Sequence, residues 1–194
     1  MNANVGMVCP VAATVATYTE GTSITYSTGK KIAEAVSASL QWNRADGRFY
    51  GDDVLLDSDN GVLGYTIDFE PTGLTDEVRA YLLGETVSSG EYTVTDAASP
   101  DVGFGYVRVM RTTNSSGTVD TKYEGWWFYK VKFGVASEET RTKEQSIEWR
   151  VPTLSGVGAG VLIDSSGAQH FSTHKSFDSK TAAIAYVKGK AGIT

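Results

Sequence analysis

Apolar and polar residues alternate along several stretches of the chain, and such alternation predicts β-strands. In residues 62–70 every second residue from Leu63 to Phe69 is large and apolar, and from Gly64 onward the residues between them are small or polar. One face of such a strand packs on a core, while the other meets solvent. The pattern therefore predicts a mainly β fold. Further strands are predicted at residues 22–26, 30–42, 91–95, 104–111, 122–133, 145–151 and 161–164.

The predicted strand at residues 122–133 carries more apolar surface than one core can bury. Trp126, Trp127, Phe128 and Tyr129 follow one another without a break. Consecutive side chains of a strand point to opposite faces, so these aromatics place large apolar area on both sides of a sheet. One side suits the core. The other requires a second layer, a neighbouring chain or a ligand.

Two polar strand faces are candidates for a functional surface. In residues 30–42, read as one long strand in preference to a helix, the even positions are mostly apolar and the odd positions small and neutral. In residues 62–70 the polar face carries two carboxylates. An ordinary solvent-facing side is the alternative for both. The two faces comprise Ala33, Ala35, Ser37, Ser39 and Gln41, and Thr66, Asp68 and Glu70.

Two helices are predicted to flank the strands. Thr75 suits an N-cap position, because Asp76 and Glu77 follow it and complement the helix dipole. Gly84 ends this pattern as a C′ residue. A second helix is predicted at residues 178–188. The fold class is therefore mainly β (α+β), with one flanking helix, extended loops and a C-terminal helix.

Three segments are predicted to be irregular. Residues 1–20 form an N-terminal arm ahead of a single domain at residues 21–194, residues 43–60 a long loop, and residues 155–160 a glycine-rich turn. The long loop is the candidate for contact with another subunit, since it combines carboxylates with residues usually found buried. These residues are Phe49, Tyr50, Asp52, Asp53, Leu55 and Leu56. Its carboxylates do not follow the calcium-loop order, so no metal is predicted.

Composition limits the possible functions. The formal charge of −6 comes with no basic stripe, which argues against a free-standing nucleic-acid binder. The single cysteine, Cys9, allows no intrachain disulfide, and neither a signal peptide nor a membrane-spanning run is predicted. His170 and His174 are spaced as zinc ligands on a helix but fall in a polar segment, which favours surface histidines. No catalytic constellation or cofactor motif is present, so the chain is not predicted to be an enzyme.

Several segments together resemble phage major tail proteins, the tube subunits of long non-contractile tails of siphoviruses. The resemblance covers most of residues 20–190 in order, and the ordered set is more specific than any one motif. Its segments are Tyr26-x-x-Gly29 before the Ala-rich strand, FYGDD at 49–53, residues 61–70, GLTDEVRAYLLG at 73–84, VGFGYVRV at 102–109, WWFYKVKF at 126–133, TKEQSIEWRVPTLSG at 142–156 and FDSKTAAIAYVKG at 177–189.

The resemblance implies a β-sandwich or barrel-like domain with a flanking helix. It also implies a structural virion protein that is assembled in the host bacterial cytoplasm and located in the tail. Rings, expected to be hexameric, stack into a tube whose subunits share one continuous inner barrel. Double-stranded DNA passes through the lumen without specific binding. The expected partners are further copies of the chain and the tape measure, tail tip and tail terminator proteins, with no membrane. The two polar strand faces become candidates for the lumen wall.

A carbohydrate-binding β-sandwich is the alternative interpretation. It uses Trp126, Trp127 and Tyr129 as a stacking platform for a sugar, and it predicts a monomer with exposed, coplanar aromatic rings. The two interpretations differ in where these rings lie.

Overall fold

The computed structural model describes residues 2–51, 54–113, 117–137 and 151–193. Its described part contains strands throughout and two helices, of which the first lies mid-chain and the second near the C-terminus. The elements are β1 (Asn2–Thr19), β2 (Ser23–Tyr26), β3 (Lys30–Lys31), β4 (Ala35–Arg44), β5 (Gly47–Gly51), β6 (Val54–Asp59), β7 (Val62–Pro71), α1 (Asp76–Leu83), β8 (Thr86–Ser88), β9 (Glu91–Thr93), β10 (Val102–Thr113), β11 (Val119–Ser137), β12 (Thr153–Gly158), β13 (Ser172–Phe177) and α2 (Lys180–Lys190).

The main sheet wraps into a barrel of antiparallel strands. Its order is β1-β10-β11-β12-β7-β4, and β3, which directly precedes β4 in the chain, pairs with β1 through Val11–Lys31 and Ala12–Lys30. The sequence of pairings thus returns to its first strand. β2 extends the sheet beside β1, and β13 pairs with β11 at Tyr123–Phe128, next to the stretch that β12 occupies.

The barrel interior holds the larger of two apolar clusters. Tyr65, Ile67 and Phe69 of β7 are buried there, as their alternation predicts, although Leu63 at the start of the strand is 67% exposed. Leu82 and Leu83 of α1 pack on the same cluster. The remaining large interior residues are Phe104, Tyr106, Phe128, Val131, Phe133 and Leu154.

Helix α1 begins and ends where its sequence predicts. The Thr75 side chain accepts a hydrogen bond from the Val78 backbone N–H, and Gly84 adopts the left-handed conformation with φ 76°. The Tyr81 hydroxyl ties the helix to β1 by accepting from the Thr14 backbone N–H at 2.8 Å.

Helix α2 supplies the second layer that the aromatic strand requires. Trp127 has no exposed surface and packs with Ala183 and Val187 of α2 on the outer side of the barrel, whereas Phe128 next to it lies in the interior. A Cβ on Gly125 would lie 2.7 Å from the Tyr186 ring, so glycine permits this close approach of the helix. The surplus apolar face of β11 is therefore covered within the same chain.

A β-bulge in β11 reverses the facing of its residues. Two residues of β10 span three of β11 between the pairs Val102–Val131 and Phe104–Phe128. The bulge lets Lys130 point outward, where its Nζ lies 3.2 Å from Asp101, while Val131 returns to the interior. Lys130 would otherwise continue the interior alternation.

Two tyrosine hydroxyls hold the bulge from opposite sides of the sheet. Tyr26 donates to the Tyr129 carbonyl at 2.8 Å, and Tyr65 donates to the Lys130 carbonyl at 3.1 Å. Burial raises the pKa of both phenols above the ordinary value of 10.0, so both remain donors across the accessible pH range. The pair satisfies backbone carbonyls at a point where the ladder is disrupted.

Several segments differ from the sequence prediction. Residues 2–19, predicted as an arm, form β1 and pair with β10 along the strand. Residues 43–60, predicted as a loop, contain the paired strands β5 and β6, and the long strand predicted at 30–42 is split into β3 and β4. Residues 161–164 form only an isolated bridge from Val161 to His170. The strand predicted at 145–151 lies, except for its last residue, outside the described residues.

The glycine-rich residues 155–160 were predicted as a turn, but most of them belong to β12. A Cβ on Gly158 would lie 2.0 Å from the Tyr65 ring, and one on Gly156 would lie 2.7 Å from the Phe133 ring. These glycines are therefore needed because aromatic rings lie directly over the strand, not because the chain turns.

Replacing Tyr65 with phenylalanine should lower the free energy of unfolding by about 1 kcal/mol, because the Lys130 carbonyl loses one of its donors. Urea denaturation monitored by tryptophan fluorescence measures the change. Tyr50→Phe is the matched control, since Tyr50 is 56% exposed, and it should change stability by less than about 0.5 kcal/mol. Equal effects of the two substitutions would contradict the role assigned to the bulge.

Candidate functional site

The two polar faces predicted separately form one continuous surface on the outside of the barrel. Ser37, Ser39 and Gln41 of β4 lie directly opposite Glu70, Asp68 and Thr66 of β7. The three β4 residues are exposed, and the three β7 residues are half-buried. We call these six residues the β4–β7 face. Side chains directly opposite in an antiparallel pair are in contact range, so the face acts as one chemical surface.

Hydrogen bonds between strands fix the carboxylates of this face. The Ser37 hydroxyl donates to Glu70 Oε2, and the Ser155 hydroxyl of β12 donates to Asp68 Oδ1, both at 2.7 Å. Ser155 and the 64%-exposed Val157 extend the face by one strand. Sequence reasoning missed both, because it read their segment as a turn. At the border, the Lys132 Nζ lies 3.8 Å from the Asp101 carboxylate.

Ala33 and Ala35 do not belong to this face. A register shift between Ala35 and Ser37 places two β4 residues where simple alternation allows one. Ala35 therefore packs toward the interior cluster, and Val36, predicted to face the core, is 56% exposed. Ala33 lies between β3 and β4, beside a cavity that Leu74 and Val78 also line.

Neither helix covers the β4–β7 face. α2 packs against β1, β10, β11 and β13, on the other side of the barrel, and α1 packs against β1, β8 and β11. Among the described residues, β4 pairs only with β7, so its second edge has no strand partner. The face is therefore a side of the sheet that no helix covers, and this edge has no hydrogen-bonded strand partner, although β1 passes close to β4.

The predicted contact loop is a β-hairpin that continues the same two strands. β5 and β6 pair with each other and not with the main sheet, and the Ala45 N–H bond to the Gly61 carbonyl links their ladder to β4 and β7. Five strand residues extend about 17 Å beyond the barrel. Phe49 and Tyr50 are 65% and 56% exposed.

The other residues of the predicted contact segment are less informative. Leu55 and Leu56 lie on β6, where Leu55 pairs with Tyr50 across the hairpin. Asp52 and Asp53 lie outside the described residues. A two-stranded ribbon is marginally stable by itself, so exposed aromatics on it indicate a surface that gains stability by contact.

The aromatic platform predicted for the carbohydrate alternative is not formed. Trp127 is fully buried, and Tyr26 meets its ring edge-on at an interplanar angle of 84°. Trp126 lies on the opposite side of β11, stacked on the His174 ring at 4.5 Å between centroids. The three residues therefore do not present coplanar rings on one side of the sheet.

Arg108, Glu124 and Trp126 form a charged cluster beside the interior core. Two guanidinium nitrogens of Arg108 donate to Glu124 Oε2, at 3.1 and 2.5 Å, and the Trp126 indole N–H donates to the same oxygen at 3.0 Å. Burial raises the pKa of Glu124, but these hydrogen bonds outweigh it, so the pKa lies below its ordinary value of 4.5. These hydrogen bonds give the buried Glu124 carboxylate a structural role in the packing of the barrel.

The two histidines have separate surroundings. His174 lies on β13, whereas the His170 Nε2 lies 3.0 Å from the Asp164 carboxylate. No group of His, Cys, Asp or Glu side chains within the described ranges is arranged to hold a metal ion. In the same part of the chain, neither helix is long and apolar enough to cross a bilayer.

No protein-family model and no curated protein sequence matches this chain.

Replacing Glu124 with glutamine should destabilise the fold by about 1.5–3 kcal/mol at pH 7, because charge-assisted hydrogen bonds are lost. The folded-state pKa is depressed, so the contribution of the carboxylate is present above pH 4.5 and is lost as the pH falls through the folded value. Urea denaturation from pH 7 to pH 3 should show the two proteins converging at the acid end. The exposed substitution Glu91→Gln should show no such convergence, and a pH-independent gap for Glu124→Gln would contradict the assignment.

Proposed function

We propose that this chain is a tail tube subunit that assembles into stacked rings around a channel for double-stranded DNA. One observation carries the proposal. An uncovered face of small, neutral and acidic side chains lies on the same two strands that extend into a projecting hairpin with exposed aromatics. A channel wall and an axial contact are thereby built from one pair of strands, as stacked rings require.

The chemistry of the β4–β7 face suits a wall along which DNA slides. Contacts from Lys and Arg to phosphates supply most of the affinity of non-specific DNA binding. The face carries Asp68 and Glu70 among serine, threonine and glutamine, and its carboxylates are held by hydrogen bonds within the sheet. Such a surface repels phosphates through its carboxylates and offers the duplex no cation to bind.

The unpaired edge of β4 and the projecting hairpin support assembly with further copies. An exposed strand edge offers backbone donors and acceptors to another chain. The hairpin and any surface it contacts are different parts of the molecule, so the contact is heterologous, and such contacts generate closed rings or open stacks. Hexameric rings and the tape measure, tip and terminator partners remain expectations from the family resemblance.

Replacing residues 47–59 with Asn-Gly should leave a folded chain that no longer forms tubes. The Ala45–Gly61 backbone bond already brings the two strands together, and Asn-Gly is a favoured two-residue hairpin turn. Negative-stain microscopy and sedimentation should show rings or tubes for the original chain and isolated particles for the variant.

The second hairpin provides the matched control for this deletion. Shortening β8–β9 by replacing residues 87–92 with Asn-Gly also removes a two-stranded ribbon, with Val87 38% exposed, and should leave assembly intact. Tubes of normal length from the 47–59 variant would refute the role of the hairpin. An original chain that stays monomeric at all concentrations would refute the proposed function.

Placing lysines on the β4–β7 face should make assembled tubes retain DNA. Ser39 and Gln41 are exposed, so Ser39→Lys with Gln41→Lys adds two cations per subunit to the proposed wall without disturbing packing. Tubes assembled with short duplex DNA should co-sediment with it, and should release it as salt rises. The control variant Thr86→Lys with Ser88→Lys adds the same charge on β8, and its tubes should retain less DNA. Equal retention by both variants would contradict the assignment of the lumen.

A further inference from the structure

Lysines surround a cavity of about 270 Å³ between α2 and the N-terminal strand. Val8 of β1 and Ile184 of α2 give this cavity an apolar floor. The cavity is also lined by Lys31, Lys180, Lys188 and Glu34. We call this cavity, with its lysines and its apolar floor, the α2 cavity. Its lining therefore combines ammonium groups with half-buried apolar side chains.

Most of the positive charge at this cavity is uncompensated. Lys31 bonds to Glu34 at 2.5 Å, whereas Lys180 and Lys188 have no carboxylate within ion-pair distance among the described residues. α2 contains three lysines and no Asp or Glu along its length. In a chain with a formal charge of −6, this is a local reversal of sign. The cavity therefore favours an anionic partner that also carries apolar groups.

The projecting hairpin has the complementary composition. Residues 46–59 contain five aspartates and one arginine, a formal charge of −4. Its aromatics Phe49 and Tyr50 are exposed, and the described carboxylates of Asp46 and Asp59 lie at the base of the ribbon. Aromatic rings also attract ammonium groups placed over their faces. Both the charge and the apolar surface of the hairpin match those of the α2 cavity.

We propose that the β5–β6 hairpin of one copy docks on the α2 cavity of another copy. The inference rests on the proposed tube assembly and names the surface that receives the hairpin. Opposite charges steer the two surfaces together, and burial of Phe49 and Tyr50 against Val8 and Ile184 supplies the lasting contact. Since donor and receptor lie on different parts of the chain, each copy can use both at once, and the contact propagates through a stack.

Charge reversal and rescue in the full-length chain test this contact. Lys180→Glu with Lys188→Glu should raise the protein concentration needed for assembly at least tenfold, as measured by sedimentation. Lys175→Glu with Lys190→Glu makes the same change in net charge at lysines that do not line the cavity, and should have less than a twofold effect. Adding Asp46→Lys and Asp59→Lys to the Lys180 and Lys188 variant should restore assembly, because the charges of both surfaces are then exchanged.

Carbodiimide cross-linking gives an independent readout. A mixture of isotopically light and heavy protein should yield mixed-label links from Asp46 or Asp59 to Lys31, Lys180 or Lys188. Tubes that form from the Lys180 and Lys188 variant as readily as from the original chain would overturn this inference and leave the tube assembly standing. Links confined to one label would overturn it as well. If the original chain neither assembles nor forms mixed-label links, both proposals fail.

Discussion

The fold depends on β11 being buried on both faces. Trp127 on the outer side and Phe128 on the inner side each have no exposed surface, so the strand needs a barrel behind it and a helix in front of it. Burying side chains of this size contributes about 1.5–3 kcal/mol each, more than most other single contacts in a domain. The positions of α2 and of the neighbouring strands follow from this requirement, because both must close over adjacent residues of one strand.

The same requirement decides which surface stays open. α2 lies over β1, β10, β11 and β13, and a chain with two helices in its described part has none left to cover β4, β7 and β12 on the far side. Apart from the exposed Val157, that side carries small and polar residues, so it needs little cover for its own stability. Asp68 and Glu70 accept hydrogen bonds from serine hydroxyls there, and neither has a lysine or arginine partner in the part of the chain that the structure describes. A sheet face with these properties is stable in water and is also suited to line an aqueous channel.

Local patterns in the sequence predicted those elements whose structure is decided locally. The buried positions of β7 follow from alternation, and the bounds of α1 follow from Thr75 and Gly84. The sequence predictions are wrong where a partner strand, or an aromatic ring from another strand, sets the conformation. The shift at Ala35 in β4 depends on the register with β7, and the glycines of β12 lie under Tyr65 and Phe133 from other strands. The two polar faces join because of the register between β4 and β7, and the pattern of a single segment does not reveal which strand it pairs with or in which register.

The hairpin and the β4–β7 face form one structural unit. Because β4 leads into β5 and β6 into β7, whatever orients the β4–β7 face also orients the projecting ribbon. In the proposed tube, a contact that holds the ribbon on another copy would therefore fix the angle of this face as well as the spacing between copies. An independent loop could hold copies together but would leave that angle free. The proposed channel for DNA needs walls that align from one layer to the next, and a contact ribbon that extends from the strands of the wall is a direct way for a single chain to provide this.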